Sequence, residues 1–385
     1  MRHLLTILLF CLSQLSLSAQ TRYVDLLHFD LIGKATTHAL TPYDRLPDTL
    51  QHRIRKPLWD LSRNTAGLSV RFRSNSTAIS LKWENLNGFH MDHMTDIGVR
   101  GFDLYARQSD GTWHFAGVAR VRSGKEGNST IVKNMTSEWR EYMLFLPLYD
   151  GVVKAAIGID STASIEKALV NDPITQQPIV FYGTSIMQGG CASRPGMAYT
   201  NILQRRLHRT CVNLGFSGNG LLDLDVARVM ASVDASAFVL DFVPNATVQQ
   251  MRDSMMTFYQ IIRDAHPTTP ILFVHDPIFS TTSYNQSLRE EVTEKNETVD
   301  SIFAIIQRRD HHVEMLQGTN QLCEDGEMFV DGIHLTDLGM MRWANLLEPV
   351  LRRMMKEYVK TDGSVVITST PCPLAQRASS GFNSL

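Results

Sequence analysis

Ile179-Val180-Phe181-Tyr182-Gly183-Thr184-Ser185 decides how the C-terminal half of the chain folds. Four large side chains follow one another without polar alternation, which suits a strand buried on both faces. The glycine, threonine and serine after them mark the point where the strand hands over to a helix. Further strands are predicted at Cys211–Leu214, Ala237–Phe242, Ile271–His275 and Val313–Leu316. Helices are predicted at Val248–Ala265, Ser287–Arg308 and Thr336–Tyr358. The first of these carries its apolar stripe on Met251, Met255, Phe258 and Ile262. Apolar strands alternating with helices imply a parallel sheet covered on both faces, with ligands beyond the carboxyl ends of its strands.

Upstream, the period changes from helical to strand-like. Leu68-Ser69-Val70-Arg71-Phe72-Arg73 alternates apolar with polar, and Ile79, Leu81 and Trp83 fall on one face of a second such run. Gly101–Tyr105, Trp113–Val118 and Tyr142–Leu146 read as further strands, with Ser109-Asp110-Gly111 as a hairpin turn and Val152–Ile159 as the last strand. Short strands at this spacing predict an antiparallel β-sandwich over residues 20–170. The polar, proline-punctuated run from Asn171 to Pro178 is the linker candidate, the α/β domain spans 178–360, and 361–385 form a polar tail.

The chain has 385 residues, 43% of them hydrophobic, so two domains can each bury a core. A formal net charge of -2 offers no electrostatic footprint for nucleic acid. Met1-Arg2-His3, the apolar run Leu4–Leu12 and the small residues Ser16, Ser18 and Ala19 follow the pattern of a secretory signal peptide cleaved near Ala19. That apolar run is too short to span a bilayer, and no later segment reads as transmembrane. Export to the periplasm or beyond is expected. Cys191, Cys211, Cys323 and Cys372 remain after cleavage, allowing three full disulfide pairings that spacing does not rank. Their spacings match no zinc site, and the adjacent His311-His312 project differently and lack a nearby carboxylate or thiolate partner, so neither metal nor cofactor is expected.

Ser185 sits where its hydroxyl is exposed at the sheet edge and its N–H lies near a helix start. Taken alone, it would serve equally well as a helix N-cap. Asp331-Gly332-Ile333-His334 changes that reading, because a carboxylate three residues before an imidazole can fix its tautomer and leave Nε2 to accept a serine proton. Gly218 can bring its backbone N–H close to a developing oxyanion, and Asn245 offers a side-chain amide at a strand end. Asn245-Ala246-Thr247 is also a glycosylation sequon, but a glycan there would block this role, so a bacterial host is the coherent one.

These residues resemble the SGNH, or GDSL-type, esterase and lipase superfamily. Its first block, Gly-Asp-Ser-x-x-x-Gly, is matched by Gly183–Gly189, its second glycine by Gly218, its asparagine by Asn245, and its Asp-x-x-His by Asp331–His334. Thr184 replaces the usual aspartate, and Pro244-Asn245-Ala246 replaces Gly-x-Asn-Asp; neither change removes a reacting group. Gly101-Phe102-Asp103-Leu104-Tyr105 resembles the Gly-x-Asp-Leu-Tyr signature of a β domain that precedes such hydrolases in gut and soil bacteria. The resemblance implies a flavodoxin-like three-layer α/β/α domain. It also implies Ser185 as nucleophile, His334 as base and Asp331 as its orienting acid. The oxyanion hole would be the Ser185 and Gly218 N–H groups with the Asn245 side chain.

The expected activity is ester hydrolysis on carbohydrates carrying O-acetyl or another small acyl group, since a β accessory domain and export suit glycan deacylation. Two alternatives stand beside it: a lipase or lysophospholipase acting on lipid esters, and a non-catalytic glycan-binding protein. Met91-Asp92-His93-Met94 is expected in interdomain packing or at the substrate site, His275-Asp276-Pro277 in a turn or the pocket lining, and Arg194 against an acidic or hydroxyl-rich substrate.

Overall fold

In the computed structural model the described residues are 20–121, 123–168, 177–277, 280–317 and 325–361. The expected signal peptide, nearly all of the linker, the tail beyond 361, Cys323 and Cys372 lie outside them. Among the described residues, ten strands occupy the N-terminal part: β1 (Thr21–Asp25), β2 (Leu31–Ile32), β3 (Ser69–Ser74), β4 (Ile79–Asn85), β5 (Phe102–Arg107), β6 (Trp113–Ala119), β7 (Glu126–Val132), β8 (Arg140–Phe145), β9 (Val152–Asp160) and β10 (Ile165–Lys167). One antiparallel sheet runs β1-β9-β4-β7 and the other β10-β3-β8-β5-β6, with β2 beside β3. The expected last strand is therefore followed by one more, since Ile165–Lys167 pairs with β3 from Phe72 to Ser74.

Alternation places the sandwich core. Leu81, Trp83 and Ile157 from the first sheet meet Val70, Phe72, Phe102 and Leu144 from the second. Each such side chain taken fully out of water contributes about 1.5–3 kcal/mol. The outer face of the second sheet is covered too. Tyr105, Trp113, Met143 and Phe145 cluster there, and Ser69 accepts a hydrogen bond from Gln204 of the C-terminal half at 3.0 Å.

Beyond residue 177 five strands form one parallel sheet: β11 (Ile179–Gly183), β12 (Cys211–Gly215), β13 (Ala237–Asp241), β14 (Ile271–Val274) and β15 (Val313–Leu316). Their order, β12-β11-β13-β14-β15, is the doubly wound arrangement in which the chain reverses direction around the first strand. Side chains of β11 alternate between two cores, Val180 and Tyr182 facing one and Ile179 and Phe181 the other. Helices Leu224–Ala231, Val248–Ala265 and Gln286–Gln307 cover the first face, and Tyr199–Leu207 and Asp337–Thr361 the second.

The N-terminal part also reaches into this second domain. Leu58 and Trp59, on a helix at Lys56–Ser62, join the core over the first face. The buried Arg45 donates to the carbonyls of Asn213 and Gly215 at 3.0 and 2.8 Å. Both lie on β12, the sheet's outer strand, so the guanidinium satisfies acceptors that an uncovered edge would leave open. The two halves are packed together, not strung on a linker.

Candidate active site

Ser185 opens a one-turn helix, Ser185–Gln188, directly after β11. Thr184, not Ser185, takes the N-cap position, and it makes no side-chain cap bond. The serine hydroxyl is therefore not consumed by capping. The turn closes at Gly189 with φ 106°, a conformation that favours glycine. The Ser185 carbonyl accepts from Gly190 N–H at 2.7 Å and from the Tyr149 hydroxyl at 3.2 Å, so the β domain pins the residue's backbone from outside its own fold. A side chain at Gly190 would press on Tyr149 and on the His334 ring, 2.9 and 3.1 Å from the added carbon.

His334 approaches from a turn just before the last helix. Its Nε2 lies 2.9 Å from Ser185 Oγ, and its Nδ1 lies 2.7 Å from Asp331 Oδ2. The other Asp331 oxygen accepts the backbone N–H groups of Ile333 and His334 at 3.0 and 2.8 Å. Partial burial pushes the pKa of Asp331 up, but these hydrogen bonds outweigh it and bring the pKa down to about 2. Asp331 is thus an anion at any working pH, and with Nδ1 turned toward it, Nε2 is left facing the serine. Gly332, at φ 89°, lets the chain reverse within the turn, where a side chain would strike Thr281.

The N–H groups of Ser185 and Gly218 and the side-chain NH2 of Asn245 have no acceptor among the described residues. Gly218 has φ 64°, and a side chain there would meet nothing within 4 Å. Its loop is tied to the Ser185 helix by Gln188, whose Oε1 accepts from Ser217 N–H at 2.9 Å. Asn245 follows β13, and its Oδ1 accepts from Gly220 N–H at 3.3 Å, which leaves the amide nitrogen as the outward donor. An activated hydroxyl, an oriented base and unengaged donors together suit attack on an acyl carbon and stabilisation of the oxyanion it creates.

Arg194 corrects an expectation. It donates to buried Asp103 at 2.7 Å, bonds the Tyr105 hydroxyl, and lies over the Phe115 ring at 4.1 Å, so it joins the two domains and is not directed at a substrate. Asp103 also accepts Gly196 N–H through both oxygens. The Gly-x-Asp-Leu-Tyr residues therefore clamp the loop that follows the nucleophile helix. His275 and Asp276 are held by the helix Gln286–Gln307: Asn296 takes both the N–H and the carbonyl of Asp276, and His275 Nε2 lies 2.8 Å from Asp300. Met91–Met94 does two things at once, with Met94 buried in the second-face core and the His93 ring centroid 5.5 Å from that of His334. Tyr149 was missed by sequence reasoning, because nothing in its local pattern marks a tyrosine that reaches across a domain boundary.

A model of the GDSL-like lipase/acylhydrolase family matches residues 176–352, and a model of the GxDLY N-terminus of SGNH hydrolase-type esterases matches 21–165. A protein from Bacteroides ovatus named for its likeness to GDSL lipases is 34% identical, with a TM-score of 0.82 over 88% of this chain and 98% of its own. The chain belongs to the GDSL-like lipase/acylhydrolase family. It is an ester-hydrolysing enzyme of the SGNH type, with the family's α/β domain behind a β domain. Two more distant structures share the fold. A salicylyl-acyltransferase from a tetracycline biosynthetic pathway has 16% identity and a TM-score of 0.68 over 88% of this chain and 97% of its own. A family two carbohydrate esterase from Cellvibrio japonicus has 12% identity and a TM-score of 0.56 over 88% of this chain and 99% of its own. No curated protein is significantly similar to the chain. No helix among the described residues is long and apolar enough to cross a membrane.

Proposed function

We propose that this family member is an exported esterase that removes O-acetyl or other small acyl groups from carbohydrates, using Ser185, His334 and Asp331 as its triad. The observation that carries the reading is the unbroken relay from Asp331 Oδ2 through the imidazole to Ser185 Oγ, with contacts of 2.7 and 2.9 Å. His334 Nε2 takes the Ser185 proton as Oγ bonds to the acyl carbon, and the carbonyl electron pair moves onto oxygen. The N–H groups of Ser185 and Gly218 and the Asn245 amide receive that oxyanion. Its collapse breaks the ester bond, and the departing sugar oxygen takes the proton from His334. Water then attacks the acyl-enzyme with His334 again as base, releasing the acid and restoring Ser185. No metal or cofactor enters these steps.

The carbohydrate assignment rests on the expected export, on the β domain, and on a shared two-domain architecture with the Cellvibrio japonicus carbohydrate esterase. A second reading, hydrolysis of longer acyl esters, is favoured by Val330, Ile333 and Leu338, which stand exposed around the His334 turn and can flank an apolar chain. Turnover of p-nitrophenyl acetate by the wild type, Ser185→Ala and His334→Ala tests the triad. An inactive wild type, or variants that match it, would overturn it. A panel of acetylated oligosaccharides against long-chain esters then tests the substrate, and preference for long chains would overturn the sugar assignment.

A further inference from the structure

Overlapping the relay lies a second constellation, two of whose members, His93 and Cys191, ester hydrolysis does not use. His93, Cys191, Asp331 and His334 each present one donor atom, and these four atoms lie within 4.8 Å of one another. They come from separate segments: a loop of the β domain, the turn after the nucleophile helix, and the Asp-x-x-His turn. We propose that these four residues form a binding site for a zinc-class divalent ion, and that filling it switches the esterase off.

Donor chemistry selects the ion. A thiol, two imidazoles and a single carboxylate make a borderline-soft set that suits Zn2+ in tetrahedral geometry, whereas Mg2+ and Ca2+ require mostly oxygen. One imidazole is already oriented as metal ligands usually are, by a carboxylate on the opposite ring nitrogen: His93 Nδ1 lies 3.0 Å from Asp92. His334 and Asp331, now 2.7 Å apart, would exchange their bond to each other for bonds to the ion.

The Cys191 segment is held in place from both sides. Its own φ is 68°, unusual for a residue with a side chain, and its thiol is buried and unpaired. Gly98 packs directly on the Ala192 carbonyl, where a side chain would come within 2.3 Å. Ser193 N–H donates to Asp337, at the start of the last helix, at 2.9 Å, and the Thr95 hydroxyl donates to the Ser193 carbonyl. The sulfur is thereby positioned before any ion arrives. On binding, the thiol gives its proton to solvent and the thiolate bonds to the metal. His334 and Asp331 then serve the metal, and Ser185 loses its base.

Binding itself is independent of the catalytic reading; only the loss of activity rests on it. The test therefore begins with the metal-free Ser185→Ala protein, which needs no turnover, titrated with Zn2+ by calorimetry. One equivalent should bind. Adding Cys191→Ser or, separately, His93→Gln should weaken affinity by at least about tenfold. Co2+ should give a thiolate charge-transfer band that Cys191→Ser removes, and melting curves confirm that each variant is folded. In the wild type, micromolar Zn2+ should lower p-nitrophenyl acetate turnover and a chelator should restore it, with each variant resisting relative to its own metal-free rate. No binding, or binding that neither substitution weakens, would overturn the site. Zinc that binds with these dependences yet leaves turnover intact would overturn the switch.

Discussion

Two carboxylates anchor the segment between Ser185 and the final helix, and their surroundings set them opposite tasks. Asp103 is fully buried, takes Arg194 and two contacts from Gly196 N–H, and belongs to the β domain. Asp331 is about a third exposed, with a side-chain accessibility of 36%, and it faces an imidazole whose other nitrogen reaches the serine. Burial pushes the Asp103 carboxyl up against the pull of Arg194, whereas the hydrogen bonds on Asp331 outweigh its smaller burial and bring it to about 2. One pair is a rivet between domains and the other is a relay. The lesson is that partner type matters less than solvent access and what the partner touches next.

The sharpest way to break the comparison is to remove relay members. Ser185→Ala or Asp331→Asn should lower kcat/KM on p-nitrophenyl acetate by about 10^4-fold. Neither should move the urea midpoint appreciably, and the Ser185→Ala/His334→Ala double variant should lose little more than Ser185→Ala alone, because the residues act as a unit. Asp103→Ala should do the reverse. It should cost about 3–5 kcal/mol in urea unfolding by leaving Arg194 without its counterion, and reduce kcat only as the 191–196 loop loosens. If stability were untouched, the rivet reading would be wrong.

A smaller effect is expected for Asn245→Ala, about 10^2–10^3-fold in kcat with KM nearly constant, as steady-state kinetics would measure. The smallest concerns a third aspartate, Asp241, at the end of β13, where burial raises the pKa to about 7 although the Tyr199 hydroxyl donates to it at 3.2 Å. Its stabilising contribution is complete below the ordinary aspartate value of about 3.9 and is lost as pH rises toward about 7. Thermal melts should therefore show Asp241→Asn gaining on the wild type from pH 4 to about pH 7, with no further gain above. A gap that stays constant with pH would remove Asp241 from the account.

Much of the fold was legible because local periodicity reports burial. Val248–Ala265 and Val313–Leu316 appear as the pattern predicts, and other boundaries of the α/β domain shift by one to three residues. The helices Tyr199–Leu207 and Leu224–Ala231 were not foreseen; both are short, and so present few repeats of an apolar period. Strand β7 escaped because its burial pattern is weak, with no fully buried residue to mark an inner face. Ser185, Gly218, Asn245, Asp331 and His334 could be singled out because each stands next to a strand end or in a short motif, where local sequence and chemistry coincide.

By itself, the sequence determined the two periodicities, the sheet they build, and which residues stand at its carboxyl edge. Those properties depend on neighbours a few positions apart. Only the tertiary structure decided that Asp103 grips Arg194, that Tyr149 holds the Ser185 carbonyl, and that His93 and Cys191 converge on the relay. Those contacts join residues many positions apart, brought together when the outer face of one sheet is buried against another domain, and no local pattern carries that information.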